Sequence, residues 1–598
     1  MNIIGLSAFY HESACCLLQD GRLVAAAAEE RFSRLKHDAR LPVNAWRFCL
    51  RQAGLDVSDI DAAAWYEDPV DKLSRQLWSG HVRVGATQAG LDPRGPELAI
   101  RQRLGFEGKV LTFPHHLSHA ASAFDYSGFG EAAVMTADGV GEWATTAYAV
   151  ANEKGYEIFE EVLFPHSLGL LYSTLTAYLG FRVNDGEYKL MGLAPYGEPR
   201  FVDQVCQLIG MGDGGQFRLN LPYFAFQQPA FQQPSRRMYS EALPKLFGRS
   251  PRQPDEPFES FHQDVARSLQ LVVEEILLEK LGWLHRQTGS DNLCLAGGVG
   301  LNCVANGRIL REGPFRDVFI PPAPGDAGGC LGAAALAHRD LVGERPVCER
   351  LPHAFWGPGW SSDEVEHFLT ATGIPTQDYR GRSQALVEDV AGQLAEGNAI
   401  GFFHGRMEHG PRALGGRSIL ASPLVPKMRD RLNQAVKRRE SFRPFAPSVL
   451  VAAAKDHFAA PGERAPFMQH TCRVVSPLDL PAITHVDGSA RPQTVDPALQ
   501  PRFAGLLEAF EKQTGCPMLL NTSFNVAGEP IVCSPVDALT CFVRSGLDVL
   551  VLEDFVVQRD ALPAVWEKLL PAWTEKRSSA FRTGACRSGL DDNLYTFV

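Results

Sequence analysis

The first third of the chain repeats one arrangement of short apolar strands, and this repeat restricts the fold more than any other feature of the sequence. Apolar runs bounded by turn residues predict strands at 3–8, 14–18 and 23–28 and again at 132–137, 145–150 and 156–162. In both copies a polar loop follows the first strand, and a turn containing glycine separates the second strand from the third. A pattern that recurs in this way predicts an internally duplicated α/β domain.

Further glycine turns fit the same domain. A strand candidate at 293–296 leads into Gly297 and Gly298 and then a helix near Asn302, and a strand at 318–320 leads into a turn with Gly325. Backbone amides in such turns can face phosphate or ribose, so these four residues are candidates for ATP binding. Close packing of strand on helix is the alternative explanation of the glycines. Two lobes built this way resemble the actin/hexokinase/Hsp70 architecture, which holds a nucleotide between its lobes.

A histidine pair on a predicted helix indicates a metal site. The sequence PHHLSHA places the imidazoles of His115 and His119 four residues apart, on one helix face. The strand at 132–137 delivers Asp138 into a glycine turn, and Asp326 lies in another such turn, so it is the candidate fourth ligand. Imidazoles and carboxylates together suit Fe, Mn or Zn. The alternative is a capping His115 and a core His119 without a metal.

Length, cysteine usage and charge narrow the class of protein. A chain of 598 residues exceeds what one core covers, so at least two domains are expected. The 13 cysteines form no CxxC motif, which argues against disulfides and thiolate zinc sites and favours the reducing cytoplasm. There is no basic leader and no apolar run of about 20 residues, so neither secretion nor a membrane span is expected. A formal net charge of -11 disfavours nucleic acid as a partner.

The second half predicts a separate unit with a basic stretch. Proline, glycine and serine between 348 and 362 indicate a domain boundary, and a helix at 383–396 followed by a strand at 399–403 predicts a further α/β unit. From His404 to Arg443 there are ten basic residues and three acidic ones. Arginines interleaved with glycines are typical of a loop around an anion, so a small anionic substrate is expected to bind the loop arginines, Lys437 and Arg443. Exposed surface charge is the alternative for the helical run 427–439.

Eight motifs in order resemble the O-carbamoyltransferases of the nodulation protein U and tobramycin type. They are AAAAEERFSRLKHD, PHHLSHA, GEYKLMGLAPYG, AGGVGLNCVANG, PGDAGGCLGAA, GPRALGGRSILASP, SFRPFAPSVL and NTSFNVAGEPIV, and they cover nearly the whole chain. Each motif alone is weak, but their number and order argue against chance similarity.

The resemblance implies two domains with different reactions. The first, at 1–352, is similar to the threonylcarbamoyl-transfer fold, and the second, at 353–598, is similar to enzymes that make threonylcarbamoyl adenylate. Carbamoyl phosphate and ATP, with Mg²⁺, would give carbamoyl adenylate in the second domain, and the first would transfer the carbamoyl group to a hydroxyl of a small-molecule natural product. Homodimerisation is a family-level expectation, and the tail 566–598 is expected to pack on either domain.

By motif position the resemblance also assigns site residues. His115, His119, Asp138 and Asp326 match the family's metal ligands, expected to hold Fe(II) or another divalent ion. In the first domain, His11 is expected to act as general base towards the acceptor and Lys36 to stabilise charge on the acyl donor; ordinary loop and surface residues are the alternatives. The matches for carbamoyl phosphate and adenylate binding are Arg412, Lys437, Arg443, Arg491, Asn521, Ser523 and Asn525. Ala527 stands where many relatives carry a basic residue, so the resemblance does not decide whether this chain makes the corresponding phosphate contact.

Three other functions remain open at this point. A threonylcarbamoyl transferase acting on tRNA would share the first domain, but the net charge and the second domain disfavour it. The carbamoyl transferase of hydrogenase maturation carries an acylphosphatase module and paired CxxC motifs, and this sequence has no CxxC. A nonenzymatic ATP-dependent switch would leave the basic stretch without a purpose. No motif identifies the acceptor, and the candidate for binding it is the stretch 217–257, with Tyr223, Phe224, Phe226 and Phe231.

Overall fold

The computed structural model describes residues 1–79, 92–227, 237–346, 349–462, 464–566 and 568 of the chain. These residues divide into two units. The first comprises Met1–Glu29 and His37–Leu351, and the second comprises Glu30–Lys36 and the described residues from Pro352 onward. Among the described residues, no helix combines the length and the apolar character that crossing a membrane requires.

Two sheets of the same topology organise the first unit. The first sheet has the order β3-β2-β1-β4-β5, and its strands are β1 Asn2–Ser7, β2 Ala14–Gln19, β3 Arg22–Ala28, β4 Ala62–Trp65 and β5 Lys109–Thr112. The second has the order β12-β11-β6-β7-β8, and its strands are β6 Glu131–Ala137, β7 Ala144–Asn152, β8 Gly155–Leu163, β11 Asn292–Ala296 and β12 Asp317–Phe319. The strands β9 Ile209–Met211 and β10 Phe217–Leu219 form a separate pair.

The pairing of the strands repeats from one sheet to the other. In each sheet three consecutive strands form antiparallel hairpins, and two further strands run parallel to the first of them. The predicted fold, a duplicated two-lobed α/β domain of the actin/hexokinase/Hsp70 type followed by an α/β domain, is therefore confirmed. Both β1 and β2 are buried along nearly their whole length, which explains their unbroken apolar sequences.

Two small-residue helices join the sheets and position the candidate metal ligands. The helices up to residue 346 are α1 Glu30–Ser33, α2 Val43–Ala53, α3 Pro69–Trp78, α4 Gly95–Ala99, α5 His115–Phe124, α6 Leu168–Tyr178, α7 Glu187–Leu193, α8 Val202–Cys206, α9 Ala242–Phe247, α10 Ser260–Thr288, α11 Cys303–Glu312 and α12 Asp326–Val342. Helix α12 packs on the first sheet, α5 packs on the second, and the two helices pack on each other. They approach closely because Gly332 has no side chain: a Cβ there would lie 1.7 Å from the carbonyl oxygen of Ser118.

The second unit is built on one mixed sheet with the order β13-β22-β21-β14-β15-β20-β16-β19. Its strands are β13 Gln377–Asp378, β14 Ile400–Phe403, β15 Arg417–Ala421, β16 Ala446–Leu450, β19 Gln493–Val495, β20 Met518–Ser523, β21 Val549–Leu552 and β22 Phe555–Gln558, with β17 Cys472–Arg473 and β18 Ser489–Ala490 as a separate pair. The helices are α13 Ser362–Thr372, α14 Ser383–Ala395, α15 Met428–Arg431, α16 Ala454–His457, α17 Pro501–Thr514 and α18 Pro535–Arg544. The predicted helix at 383–396 and strand at 399–403 are confirmed as α14 and β14.

The segment Glu30–Lys36 belongs to the second unit, although it lies in the sequence of the first. The guanidinium of Arg34 donates to the carbonyl oxygens of Ile531 and Pro530 at 2.6 and 2.8 Å. Arg31 donates to the carbonyl oxygen of Gly410 at 3.0 Å. These contacts join residues 379 to 497 positions apart in sequence, and no local pattern indicates them.

Candidate functional site

Helix α5 buries two imidazoles on one face, as the spacing of four residues predicts. The side chains of His115 and His119 are fully buried, and their Nε2 atoms lie 3.0 Å apart. The intervening His116 points elsewhere: its Nδ1 lies 2.7 Å from Thr136 Oγ1 and its Nε2 lies 3.0 Å from the carbonyl oxygen of Ala144. Burial lowers the pKa of His116 to about 3, so this imidazole is neutral.

Two carboxylates complete the cluster. Asp138 follows β6 directly, and its Oδ2 lies 3.0 Å from His119 Nε2 and 3.4 Å from His115 Nε2. Asp326 is the first residue of α12, and its Oδ1 lies 3.4 and 3.5 Å from the same two nitrogens. One ligand atom from each of the four residues lies within 4.8 Å of the others, so the structure brings the predicted ligand set together.

The chemistry of this cluster fits a divalent cation. Asp326 Oδ1 is buried without a hydrogen-bond partner among the described residues, and two imidazole nitrogens face each other. Burial lowers the pKa of His119, but the neighbouring carboxylates of Asp138 and Asp326 outweigh it and raise that pKa to about 9. The carboxylates therefore hold a positive charge at this point even without a metal. Two nitrogen and two oxygen donors suit Fe, Mn or Zn.

His11 lies beside the cluster, with its Nδ1 3.6 Å from Asp326 Oδ2. Because Nδ1 faces a carboxylate, the neutral ring keeps its proton there and its Nε2 lone pair stays available. Burial lowers the pKa of His11, but Asp326, Glu12 and Asp138 outweigh it, so the net pKa is raised. Lys36 is not grouped with His11: it ends the segment that belongs to the second unit, where its charge helps to lower the pKa of Lys437.

Three of the four residues predicted to bind ATP, Gly297, Gly298 and Gly325, lie next to Asp138 or Asp326 in space or in sequence. Gly297 has a φ of +89°, and a Cβ there would lie 2.2 Å from the carbonyl oxygen of Ala137, so only glycine fits. A Cβ at Gly298 would lie 2.8 Å from Asp138 Oδ1. Gly325 directly precedes α12, and Asn302 caps α11 by accepting from the backbone N–H of Ala305 at 3.1 Å. These contacts account for the residue types by packing and capping, and nucleotide binding stays a prediction.

In the second unit, Lys437 is a buried lysine whose hydrogen-bond partners among the described residues are neutral oxygens. Its Nζ donates to the carbonyl oxygen and Oγ of Ser523 at 2.5 and 3.1 Å, and to the carbonyl oxygen and Oδ1 of Asn525 at 3.1 and 2.6 Å. Burial and the cations Arg439, Arg443 and Lys36 hold its pKa well below the ordinary value. Three residues predicted to bind carbamoyl phosphate or the adenylate, Lys437, Ser523 and Asn525, therefore meet at one point.

Strand β20 connects this point to two further predicted arginines. Asn521 lies two residues before Ser523, so both side chains project from the same face of the strand. The Nδ2 of Asn521 donates to the carbonyl oxygen of Ala413 at 3.2 Å and to Gln493 Oε1 at 3.1 Å. Ala413 follows Arg412, and Gln493 lies two residues after Arg491, so the loops that carry both arginines converge on Asn521.

Two other loop arginines, Arg406 and Arg417, contact main-chain carbonyls, and anion binding by them stays a prediction. Arg417 is fully buried, and its NH1 and NH2 donate to the carbonyl oxygens of His404, Gly405, Gly416 and Pro358 at 2.9 to 3.2 Å. Arg406 donates to the carbonyl oxygens of Gly357 and Trp356. Guanidinium groups used in this way hold the loop in place, which the residue type alone cannot distinguish from anion binding.

The structure describes only part of the stretch 217–257 that was expected to bind the acceptor, and two of its aromatic residues are buried. Phe224 and Phe226 are buried against other side chains of the first unit, 0% and 5% exposed, so they belong to the core. Phe231 lies outside the described residues, as does the tail beyond Trp566 except for Lys568. Trp566 packs against the core of the second unit. Sequence reasoning also missed Glu142 and Gln493, which orient predicted site residues through hydrogen bonds and carry no motif of their own.

Comparison with known proteins places both units in one family. The model described as "Carbamoyltransferase N-terminus" matches residues 2–89 and 97–335, and that described as "Carbamoyltransferase C-terminus" matches residues 391–559. An uncharacterized protein of Synechocystis sp. is 43% identical over 94% of this chain and 97% of its own length. The nodulation protein NolNO of Sinorhizobium fredii is 40% identical over 94% of this chain and 81% of its own length.

Solved structures resemble the chain more distantly. HypF of T. kodakarensis matches with a TM-score of 0.31 and 15% identity, over 57% of this chain and 48% of that protein. The ROK hexokinase of Thermus thermophilus matches with a TM-score of 0.28 and 16% identity, over 56% of this chain and 97% of that protein. At these values the similarity carries no argument about function.

Proposed function

Because this chain belongs to the carbamoyltransferase family and is a carbamoyl-transferring enzyme, we propose that it makes its own activated donor from carbamoyl phosphate and ATP. In this proposal the second unit forms carbamoyl adenylate and the first unit transfers the carbamoyl group to a hydroxyl of a small-molecule natural product. Family membership removes the nonenzymatic switch from the alternatives. It also confirms the resemblance to the nodulation-type O-carbamoyltransferases.

The first half-reaction needs groups that hold polyanions. Carbamoyl phosphate and the triphosphate of ATP carry several negative charges, which Lys437 and the arginines Arg412, Arg443 and Arg491 can balance. Water first hydrolyses carbamoyl phosphate to carbamate and inorganic phosphate. The carbamate oxygen then attacks the α-phosphorus of ATP, and pyrophosphate leaves. Ser523 and Asn525 keep the Lys437 ammonium in place, and a bound anion offsets the burial that lowers its pKa.

The second half-reaction needs a base and a polarised acyl donor. The acceptor oxygen attacks the carbamoyl carbon, the bond to the AMP phosphate breaks, and AMP leaves. His11 takes the hydroxyl proton at Nε2, while Asp326 holds the opposite nitrogen of the ring. In this proposal the turns that contain Gly297 and Gly325 contact the nucleotide part of the donor. A divalent ion held by His115, His119, Asp138 and Asp326 would supply Lewis acidity towards the developing negative charge.

The observation that carries this proposal is the meeting of Lys437 with Ser523 and Asn525, which lie 86 and 88 residues further along the chain. A buried ammonium with only neutral hydrogen-bond partners is costly unless a ligand compensates for it. The motif resemblance selected Lys437 separately from Ser523 and Asn525, and these two residues surround the Nζ of Lys437. Support from the first unit is the ligand cluster with His11 beside it.

The test is anaerobic incubation of the purified chain with Fe(II), Mg²⁺, ATP and carbamoyl phosphate, with mass detection of AMP, pyrophosphate and carbamoyl adenylate. Adenylate that depends on carbamoyl phosphate and disappears in Lys437→Ala supports the proposal. The matched control is Lys455→Ala, which removes an exposed lysine of the same unit. Wild-type chain that binds ATP but makes no adenylate contradicts it.

A second variant separates the two half-reactions. His11→Asn should still form carbamoyl adenylate but should transfer it to an acceptor about 10² to 10⁴ times more slowly, as expected for loss of a general base. Its control is His367→Asn, an exposed histidine of the second unit. Unchanged transfer in His11→Asn removes this histidine from the mechanism and leaves adenylate formation untouched.

A further inference from the structure

We propose that Glu142 and His116 are positioning residues, which hold helix α5 against the β6–β7 hairpin and so set the distance between the imidazoles of α5 and the carboxylate of Asp138. The inference rests on the metal centre in the proposed function. Neither residue contributes a ligand atom to the cluster. Both connect the histidine ligands to the hairpin that carries the aspartate ligand.

Glu142 ties the first residue of α5 to the hairpin. Its side chain is 7% exposed, and its Oε1 accepts from the backbone N–H of His115 at 2.8 Å and from that of Asp68 at 2.6 Å. Pro114 occupies the N-cap of α5 and makes no side-chain cap. The Glu142 carboxylate takes over that function, since it satisfies an amide left open by the helix and places negative charge at its positive end.

His116 ties the next residue of α5 to both strands of the hairpin. A carbonyl oxygen only accepts, so His116 Nε2 donates to Ala144, and Nδ1 accepts from the hydroxyl of Thr136. Thr136 lies on β6, two residues before Asp138, and Ala144 is the first residue of β7. The imidazole therefore bridges the helix to a point on each side of the ligand aspartate.

The ligand rings themselves have no such anchor. In most metal centres the second ring nitrogen of a ligand histidine donates to an acceptor that fixes the ring. Here the Nδ1 atoms of His115 and His119 are buried without a hydrogen-bond partner among the described residues. Ring position then depends on the position of the helix, and metal–ligand distances tolerate only about 0.2 Å of error. The hydrogen bonds of Glu142 and His116 fix the first two residues of α5, and so limit movement of the helix that would change the metal–ligand distances.

The experiment compares Glu142→Ala, Glu142→Gln and Thr136→Val with wild type. Glu157→Ala is the matched control, because it removes an exposed carboxylate from β8 of the same sheet. Calorimetric titration with Co²⁺ measures affinity, the visible spectrum of bound Co²⁺ reports ligand geometry, and circular dichroism checks that each apo variant is folded. Thr136→Val keeps the side-chain volume and removes only the hydroxyl, so it remains informative if Glu142→Ala does not fold.

Glu142→Ala is expected to weaken Co²⁺ binding by about 10- to 100-fold, as outer contacts of metal ligands typically do, and to shift the Co²⁺ bands. Glu142→Gln keeps an oxygen acceptor and should restore most of the affinity and the wild-type bands. Thr136→Val should shift the bands with a smaller loss of affinity.

Wild-type affinity and bands in folded Glu142→Ala and Thr136→Val overturn the proposal. Equal losses in Glu142→Ala and Glu142→Gln with unchanged bands also overturn it, because charge rather than position would then be responsible. A wild-type chain that binds no Co²⁺ removes the metal centre and this inference with it. Carbamoyl adenylate formation from carbamoyl phosphate tests the second unit separately, so its failure is distinguishable from all of these outcomes.

Discussion

The two units each bury a charged cluster, but the clusters have opposite sign and different partners. In the first unit, the carboxylates of Asp138 and Asp326 face two imidazole nitrogens across 3.0 to 3.5 Å. In the second unit, the Lys437 ammonium is held by neutral oxygens, and the charged groups that act on its pKa most strongly include Arg439 and Arg443. The charges of the first cluster therefore favour a cation, and those of the second favour an anion.

The difference in charge indicates which kind of ligand would neutralise each cluster. Like charges that are buried together raise the free energy of the folded state unless a counter-ion binds. A divalent cation compensates two aspartates, and a phosphate compensates a lysine flanked by arginines. Variants of the two clusters should therefore affect different half-reactions, and the following predictions test this separation.

The largest effect is expected in the second unit. Lys437→Ala should lower the rate of carbamoyl adenylate formation by about 10²- to 10³-fold, because it removes a preorganised donor to a phosphoryl group. Binding of Co²⁺ to the first unit should be unchanged. Adenylate formation is measured as release of pyrophosphate dependent on carbamoyl phosphate, and metal binding by calorimetry. Loss of both adenylate formation and Co²⁺ binding would show that the two clusters are not independent.

The reciprocal change belongs to the first unit. Asp326→Asn should weaken metal binding by about 100-fold or more. Loss of a metal ligand should reduce the affinity at least as much as loss of a residue that only contacts a ligand. It should also abolish carbamoyl transfer while leaving pyrophosphate release within about twofold of wild type, as expected for independent sites. Wild type that is stripped of its metal by a chelator, freed of the chelator and then assayed with Mg²⁺ should reproduce this pattern. Pyrophosphate release that fails together with transfer would show that the clusters are coupled.

A third prediction follows from the lowered pKa of Lys437. Binding of carbamoyl phosphate favours the charged form of Lys437. At any pH where Lys437 is neutral in the free protein, binding should therefore be accompanied by uptake of a proton by its side chain. Affinity should then fall as pH rises, by at most about tenfold per pH unit. Calorimetry in two buffers with different ionisation enthalpies measures the proton uptake. Equal heats in both buffers across the pH range would contradict the prediction.

The smallest effect concerns Glu29, a buried carboxylate in the first unit. Burial is the main cause that raises its pKa from 4.5 to about 7, against hydrogen bonds from the backbone of Ala45 and Asn44. The folded state keeps a proton that the unfolded chain releases, so this stabilisation is complete below pH 4.5 and is lost as pH rises to about 7. Lys437 has the opposite sign: its lowered pKa makes stability rise with pH towards its ordinary value.

Glu29→Gln keeps the acceptor for Ala45 and removes the titration. It should flatten the decrease in the free energy of unfolding between pH 5 and pH 8 and stabilise the chain at pH 8 by on the order of 1 to 3 kcal/mol. Urea unfolding at both pH values measures it, with Glu157→Gln as control. A wild-type free energy of unfolding that does not fall over this range would show that Glu29 is ionised throughout.

Most of the architecture could be predicted because it follows local rules. Runs of apolar residues with glycine turns placed the hairpins of both sheets within two residues of β1, β2, β3, β6, β7 and β8. The metal cluster was also predictable, since helical spacing pairs His115 with His119 and strand ends carry Asp138. By contrast, nothing local separated Arg417, which holds main-chain carbonyls, from a phosphate ligand, or assigned Phe224 to the core.

The sequence by itself determined the classes of element and of chemistry, because side-chain period and residue type act within a few positions of the chain. Only the tertiary structure decided which residues meet. Arg34 reaches carbonyls 496 and 497 residues away, and Lys437 reaches oxygens 86 and 88 residues away. Glu142 anchors His115 across 27 residues. Such contacts depend on how sheets and helices pack, and packing is a property of the whole folded unit rather than of any segment.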